Sequence, residues 1–509
     1  MNEISIVPDE PLDETEQHLI SLVEEHRQEL ITLLKDLIKF DSRTYESSHY
    51  SDLHPIANFC VKKLNEWGIN TQVIECPHKG QLLNQTWPNL IASLKGKNWK
   101  DRRLGFMGHL DIVPFNPDTW TSISDPLQPE IKEGKLYGRG AIDMKSGVAA
   151  QMMSIYLLKI SGIEIHGELQ LILTPDEEIS GKYGADFLAT QYPEIASATA
   201  RIIAEPTGQP PIKSPAIIIG EKGANWLRLH FHGASGHGSQ PKPKSNAINK
   251  AARFIYLAQN HLKFRDPKPP FTIKDLVTGM ISRFGLKNLL GSILKPDSEK
   301  KKPDIIKQTK TTNNKNSNQD YNEDGVNFNT FLHTSISFNQ IQAGTKTNII
   351  PDTCTLEIDV RALPGMTLTQ ILQDITTYAN KLNYRVELDE KLSKDYSIKQ
   401  KQKILKRNPD ITVKVLVHND GGSEPMDAEL TRLLAIQFEK IYRTRHLFFL
   451  SPGMTDASHF RKQGIKNIVV FGPSGDNAHN ADEFVYLEDL VQCTKVYLTT
   501  AYKFLTKVN

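Results

Sequence analysis

The stretch that most restricts the possible folds is Leu171-Ile172-Leu173-Thr174-Pro175-Asp176-Glu177-Glu178, an apolar run that stops at three consecutive carboxylates. The Leu and Ile residues read as a buried strand, and Pro175 ends its hydrogen-bond ladder. The triplet then sits at the end of a strand, where open α/β sheets keep their ligand sites. An isolated acidic triplet is most simply a solvated turn. Whether a cation belongs among these carboxylates depends on what the rest of the chain brings to them.

With 509 residues the chain exceeds one ordinary core, so two or more domains are expected. Basic and acidic residues nearly balance, 61 against 59, so bulk charge points to neither nucleic acid nor a membrane as partner. The four cysteines, Cys60, Cys76, Cys354 and Cys493, are widely scattered and form no CxxC pair. That usage fits a reducing, cytoplasmic setting. The N-terminus has no basic segment leading into an apolar one, and no apolar window is long enough for a transmembrane helix, so neither is expected.

Taken in order, residues 1–15 read as a flexible, acidic N-terminal arm. Helical spacing of apolar residues runs from Glu16 to Phe40 and again from Ile56 to Trp67. Strands are expected at Thr71–Glu75, Asn89–Leu94, Arg103–His109, Glu168–Leu173 and Ala200–Ala204, with helices at Val148–Ile160 and Tyr183–Thr190. Strands and helices in this order make a mixed α/β layer over residues 16–218. Beyond that the pattern changes. Strand Trp226–Phe231, helix Ala247–His261, strands Thr334–Ile341 and Cys354–Val360, and helix Leu368–Leu382 suggest an α+β, ferredoxin-like unit over 219–420. Within it, residues near 295–325 are rich in Lys, Asn, Asp, Gln, Ser and Thr and read as a disordered insertion. The α/β style returns over 421–509 with helix Asp427–Tyr442, strand Ile468–Phe471 and helix Leu487–Leu505. One α/β domain interrupted by an inserted α+β domain is the expected architecture.

Chemistry-bearing residues recur at the strand ends and sharp turns of the α/β part. His109 and Asp111 are two apart, so a strand would point both to one face, and a carboxylate beside a histidine fixes its tautomer. Asp143 lies in a glycine-rich turn before a helix, Glu205 ends a buried strand before Pro206, and His479 lies in a glycine-rich loop after a strand. Two histidines with several carboxylates suit a pair of divalent ions of the zinc type. Paired metals ~3.5–4 Å apart are a known means of hydrolysing amides and phosphates.

The segments GHLDIVP, GRGAIDMKSG, TPDEEISGKYG, AEPTG, GASGHGSQP, NIIPD, DVRALPG, GMTDASHF and AHNADEF occur in this order. Together they resemble the zinc metallopeptidase and amidohydrolase family of the aminoacylases, carboxypeptidase G, succinyl-diaminopimelate desuccinylase and acetylornithine deacetylase. The resemblance runs from about residue 20 to the C-terminus, the insertion apart. It implies a di-zinc peptidase-like catalytic domain carrying an inserted lid and dimerisation domain. By that resemblance His109 and Glu205 would hold one Zn(2+), Glu178 and His479 the other, and Asp143 would bridge them, with a cis peptide bond between Asp143 and Met144. Co(2+) or Mn(2+) would suit the same donors. Glu177 would be the general base acting on a metal-bridging water, and Asp111 would orient His109. His237 would reach the active site of a neighbouring subunit and stabilise the oxyanion. Arg361 would clamp a substrate carboxylate, a task its planar guanidinium suits. Asn348, Gly453 and Thr455 would contact or line the substrate pocket. Ser146 departs from the glycine common at that position in the family. The implied activity is hydrolysis of an N-acyl amino acid or a C-terminal peptide bond by a homodimer. A catalytically silent relative is opposed by the presence of the whole ligand set and Glu177. A two-metal phosphoesterase is opposed by the lack of a Walker-type loop or a Lys/Arg cluster beside these motifs.

Overall fold

The computed structural model describes residues 11–44, 51–77, 86–209, 215–270, 332–388 and 409–506. The insertion expected near 295–325 lies outside the described residues, as do residues 1–10. Within the expected arm, a helix already starts at Glu14, because Asp13 and Glu16 form a reciprocal capping box. The single helix expected over Glu16–Phe40 is two, Glu14–Glu25 and Arg27–Ile38, separated at His26. No glycine or proline marks that break, so apolar spacing carries straight across it.

The main layer is a nine-stranded sheet. Eight strands run in the order Asn70–Pro77, Thr86–Lys95, Glu168–Thr174, Arg103–His109, Ala200–Ile203, Ile468–Val470, Ile217–Glu221 and Gly422–Ser423, with Phe448–Ser451 pairing beside Ile217–Glu221. Its centre is parallel: Arg103–His109 pairs in parallel with Glu168–Thr174 and with Ala200–Ile203, which pairs in parallel with Ile468–Val470. Glu168–Thr174 is buried at every position, as a central strand covered on both faces must be. Helix Ser146–Ile160, buried almost all round, packs between this sheet and the C-terminal helix Leu487–Thr506.

A second sheet has five strands in the order Ser335–Ala343, Thr353–Ala362, Gly223–His232, Ile411–His418 and Val386–Leu388. Helices Ala247–His261 and Leu368–Lys381 cover one face, with Leu227, Phe231, Phe254, Leu356 and Ile375 in a core of their own. Strand Thr353–Ala362 alternates buried and partly exposed positions, the signature of a sheet covered on one side. Its pairings are antiparallel except at one edge, where Val386–Leu388 pairs in parallel with Ile411–Val413. The chain enters this layer at Glu221–Gly223 and leaves it at His418–Gly422. There a Cβ on Gly223 would lie 2.5 Å from the Asn419 carbonyl oxygen, so the two crossings can touch only through glycine. No described helix is long and apolar enough to cross a membrane.

Candidate metal centre

Four adjacent parallel strands of the large sheet deliver four of the candidate residues. His109 is the last residue of its strand and lies level with Thr174, after which the chain turns through Asp176, Glu177 and Glu178. Glu205 follows strand Ala200–Ile203, and the loop after Ile468–Val470 carries His479. All leave the carboxyl ends of their strands, where an open α/β sheet places ligands. A small four-stranded sheet supplies the fifth. Phe484–Tyr486 pairs with Lys135–Tyr137, which sets the loop bearing Asp143 beside the loop bearing His479. The Asp143–Met144 peptide bond is cis.

Two groups of ligand-type atoms result, His109, Asp143 and Glu205 in one and Asp143, Glu178 and His479 in the other. Within each group the atoms lie within 4.8 Å of one another. Asp143 belongs to both through different oxygens. Its Oδ1 is 3.2 Å from His109 Nε2, and its Oδ2 is 3.1 Å from His479 Nε2. Glu205 Oε1 is 3.6 Å from His109 Nε2, and Glu178 Oε2 is 3.1 Å from His479 Nε2. His109 Nδ1 lies 3.0 Å from the Asp111 carbonyl oxygen, which can only accept. Nδ1 therefore carries a proton, and Nε2 is the nitrogen that faces the Asp143 and Glu205 carboxylates.

The electrostatics describe a site crowded with acid. Burial, then the charge of Asp143, pushes Glu205 well above the usual carboxylate range. Burial and then Glu205 do the same to Glu177. Glu178 is pushed up to about 7, by burial first and Asp143 second. Burial also acts on Asp143, yet hydrogen bonds from His109 and His479 pull it below its ordinary value. His479 is raised to about 10 by its bonds to Asp143 and Glu178. Glu178 Oε1 is buried without a hydrogen-bond partner. An orphaned carboxylate oxygen among imidazole and carboxylate donors fits a divalent cation, which would satisfy the oxygen and relieve the repulsion.

A sequence profile for peptidase family M20/M25/M40 matches residues 105–503. The chain belongs to this family. It is 25% identical over 412 residues to an uncharacterised metallohydrolase of Methanocaldococcus jannaschii, covering 81% of this chain and 82% of that protein. A succinyl-diaminopimelate desuccinylase of a Sulfurovum species is 37% identical over 183 residues, 35% of this chain and 47% of that enzyme. Human carnosine dipeptidase 1 has the same fold, with a TM-score of 0.64 at 16% identity and coverage of 97% of this chain and 99% of that one.

The other residues singled out from the sequence are placed less uniformly. Asp111 lies just beyond the strand rather than on it, yet it is fully buried and its Oδ1 is 3.3 Å from His109 Nδ1. It also accepts from the backbone N–H groups of Glu177 and Glu178, at 3.1 Å each, and from the Thr44 hydroxyl at 2.9 Å. Glu177 thus stands at the cluster, and among the described residues no hydrogen bond or ion pair engages its carboxylate. Thr455 is buried, its N–H and hydroxyl both donating to Glu221 Oε2 at 2.9 and 3.0 Å, while the Gly453 N–H donates to Ser451 Oγ. Three candidates lie outside both donor groups: Arg361 is on strand Thr353–Ala362 of the five-stranded layer, while His237 lies in, and Asn348 immediately precedes, a two-stranded ribbon in which Gly236–His237 pairs with Ile349–Ile350. His237 is exposed and bonds Ser239 Oγ through Nδ1. Asn348 is exposed, its carbonyl accepting from the Gly238 N–H. Arg361 is paired with Asp359 at 3.0 Å.

Sequence reasoning missed several groups. Asp176 is buried, and its Oδ2 accepts from the Tyr183 N–H at 2.7 Å, fastening the turn after the triplet. Asp456 accepts from the Thr174 hydroxyl at 2.9 Å. Glu483 is fully buried and receives backbone N–H groups from the Asp143 loop. A carboxylate immediately before the apolar Phe484-Val485-Tyr486 was the available signal for Glu483; Thr44 carried none.

Proposed function

We propose that the protein is a di-zinc amidohydrolase that cleaves an N-acyl amino acid or a C-terminal peptide bond in a small substrate bearing a free carboxylate. The observation that carries this reading is the pair of donor groups sharing Asp143, with the free Glu177 carboxylate beside them. One cation is assigned to His109, Asp143 and Glu205 and the other to Asp143, Glu178 and His479. Such cations, when bound, lower the pKa of water and polarise the scissile carbonyl. Glu177 takes a proton from the attacking water and returns it to the leaving amine nitrogen, so the amide and water become a carboxylate and an amine. Asp111 keeps His109 in the tautomer that leaves Nε2 free.

In this reading residues 16–218 and 421–509 form the catalytic unit, and 219–420 form the lid and dimerisation unit. Arg361 takes the substrate carboxylate after exchanging it for Asp359, and Asn348, Gly453 and Thr455 line the pocket. The exposed His237, which belongs to neither donor group, serves the site of a second copy. Four free, buried cysteines support a cytoplasmic location. A relative named succinyl-diaminopimelate desuccinylase supports an N-acyl amino acid as the substrate class. A panel of N-succinyl, N-acetyl and other N-acyl amino acids and dipeptides, offered to the metal-loaded protein and to Glu177→Gln, tests the proposal. Turnover by the wild type alone is expected. Equal turnover by both proteins would remove Glu177 from the mechanism, and no turnover by either would remove the activity.

A further inference from the structure

One buried ion pair fastens together the two loops that supply Asp143 and His479. Glu483 Oε1 accepts from the Ile142 N–H at 2.9 Å and the Asp143 N–H at 3.2 Å, and Oε2 accepts from the Gly140 N–H at 3.1 Å. Arg139 Nη1 donates to the same Oε2. Arg139 Nη2 reaches across to donate to the carbonyl of Asn480, the residue after His479, at 3.0 Å. The backbone joins in, with the Gly138 N–H donating 3.0 Å to the Glu483 carbonyl. A carboxylate that accepts several N–H groups and a guanidinium holds them in one arrangement.

The two donor groups differ in how far they depend on this clamp. His109 and Glu205 sit on or just after strands of the large sheet, held by its ladder. His479 has no such support. It sits in a loop with φ of 64° and a side chain 53% exposed. Asp143, common to both groups, hangs from the backbone that Glu483 grips. We propose that the Glu483–Arg139 pair is a positioning device that sets the spacing of Asp143 and His479, and so controls the cation held by Asp143, Glu178 and His479 more strongly than the one held with His109 and Glu205. The inference rests on the two-cation reading.

The test is calorimetric titration of the metal-free protein with Zn(2+), alongside visible absorption on titration with Co(2+). Wild type is expected to take up two equivalents; fewer would refute the two-cation reading before any variant is considered. In Glu483→Gln one equivalent should keep its affinity while the other weakens by about 10–100-fold, the usual range for groups that orient metal ligands. The Co(2+) bands of that equivalent should shift, which a merely structural role would not produce. Removing one partner of a buried ion pair can unfold a protein, so Arg139→Lys, which keeps the charge and loses the fork, serves as the second variant. It should show the same selective weakening, to a smaller degree. If far-UV circular dichroism shows Glu483→Gln unfolded, Arg139→Lys alone decides. Folded variants that bind both equivalents like wild type, or lose both equally, would overturn the proposal.

Discussion

The strand ends of the large sheet and the region made by the five-stranded layer with the ribbon Gly236–His237 and Ile349–Ile350 both carry residues suited to hydrolysis, but they are organised in opposite ways. At the strand ends, residues as far apart in sequence as His109 and His479 converge, and several are tied by a buried partner: His109 by Asp111, the Glu177–Glu178 turn by Asp111, the Asp143 loop by Glu483. In the second region, His237 bonds Ser239, the Asn348 carbonyl accepts from the Gly238 N–H and Arg361 is engaged by Asp359, with His237 and Asn348 exposed. The donors at the strand ends all come from one chain, most of them buried or half-buried and His479 exposed. Under the proposed function, the groups of the second region would act on a ligand or in another copy. Damage to the first region should therefore fall on metal binding and turnover, and damage to the second on substrate affinity and on activity that depends on assembly.

The largest effect is expected at Glu177. Replacement by Gln should lower kcat by about 10²–10⁴, the range for a general acid–base group, while calorimetry still finds both metal equivalents. Loss of metal along with activity would break the separation of base from ligands. Next comes His237→Ala, which should cost about 10²–10³ in kcat if it donates to the developing oxyanion, again with metal content intact. Mixing His237→Ala with Glu177→Gln should then restore part of the activity through hybrid dimers. Additive, inactive mixtures would confine each site to one chain. Arg361→Ala should raise KM by about 10–100-fold, corresponding to a charged hydrogen bond of about 1.5–3 kcal/mol, and leave kcat nearly unchanged. A fall in kcat with constant KM would place Arg361 with the first region instead. The smallest effect is expected at Thr44→Val, which removes one hydrogen bond to Asp111 and should reduce stability by about 1–3 kcal/mol in a denaturant melt, because the Asp111 oxygen is buried.

The strand-end ligands were legible because each breaks an apolar run. Leu-Ile-Leu ending in Pro and carboxylates, Ile-Ile-Ala ending in Glu205-Pro206, and Gly-Phe-Met-Gly ending in His109 are local patterns that a strand imposes on its own sequence. The clamps were not legible. Glu483 acts on the Asp143 loop only because Phe484–Tyr486 pairs with Lys135–Tyr137, a contact that no local period records. Asp176 looked like one more acid in a solvated triplet, whereas the turn folds it inward, where burial raises its pKa and the Tyr183 N–H caps it. The break at His26 escaped notice for a related reason. Both helices keep the same buried face, so apolar spacing continues through a junction made by backbone alone.

The central claim is that two cations share Asp143. Crystals grown from zinc-loaded protein, measured on both sides of the zinc absorption edge, test it most directly. The two-cation reading predicts two anomalous peaks per chain ~3.5–4 Å apart, one against His109 and Glu205, the other against Glu178 and His479, with Asp143 touching both. A single peak, or peaks that leave Asp143 untouched, would contradict it.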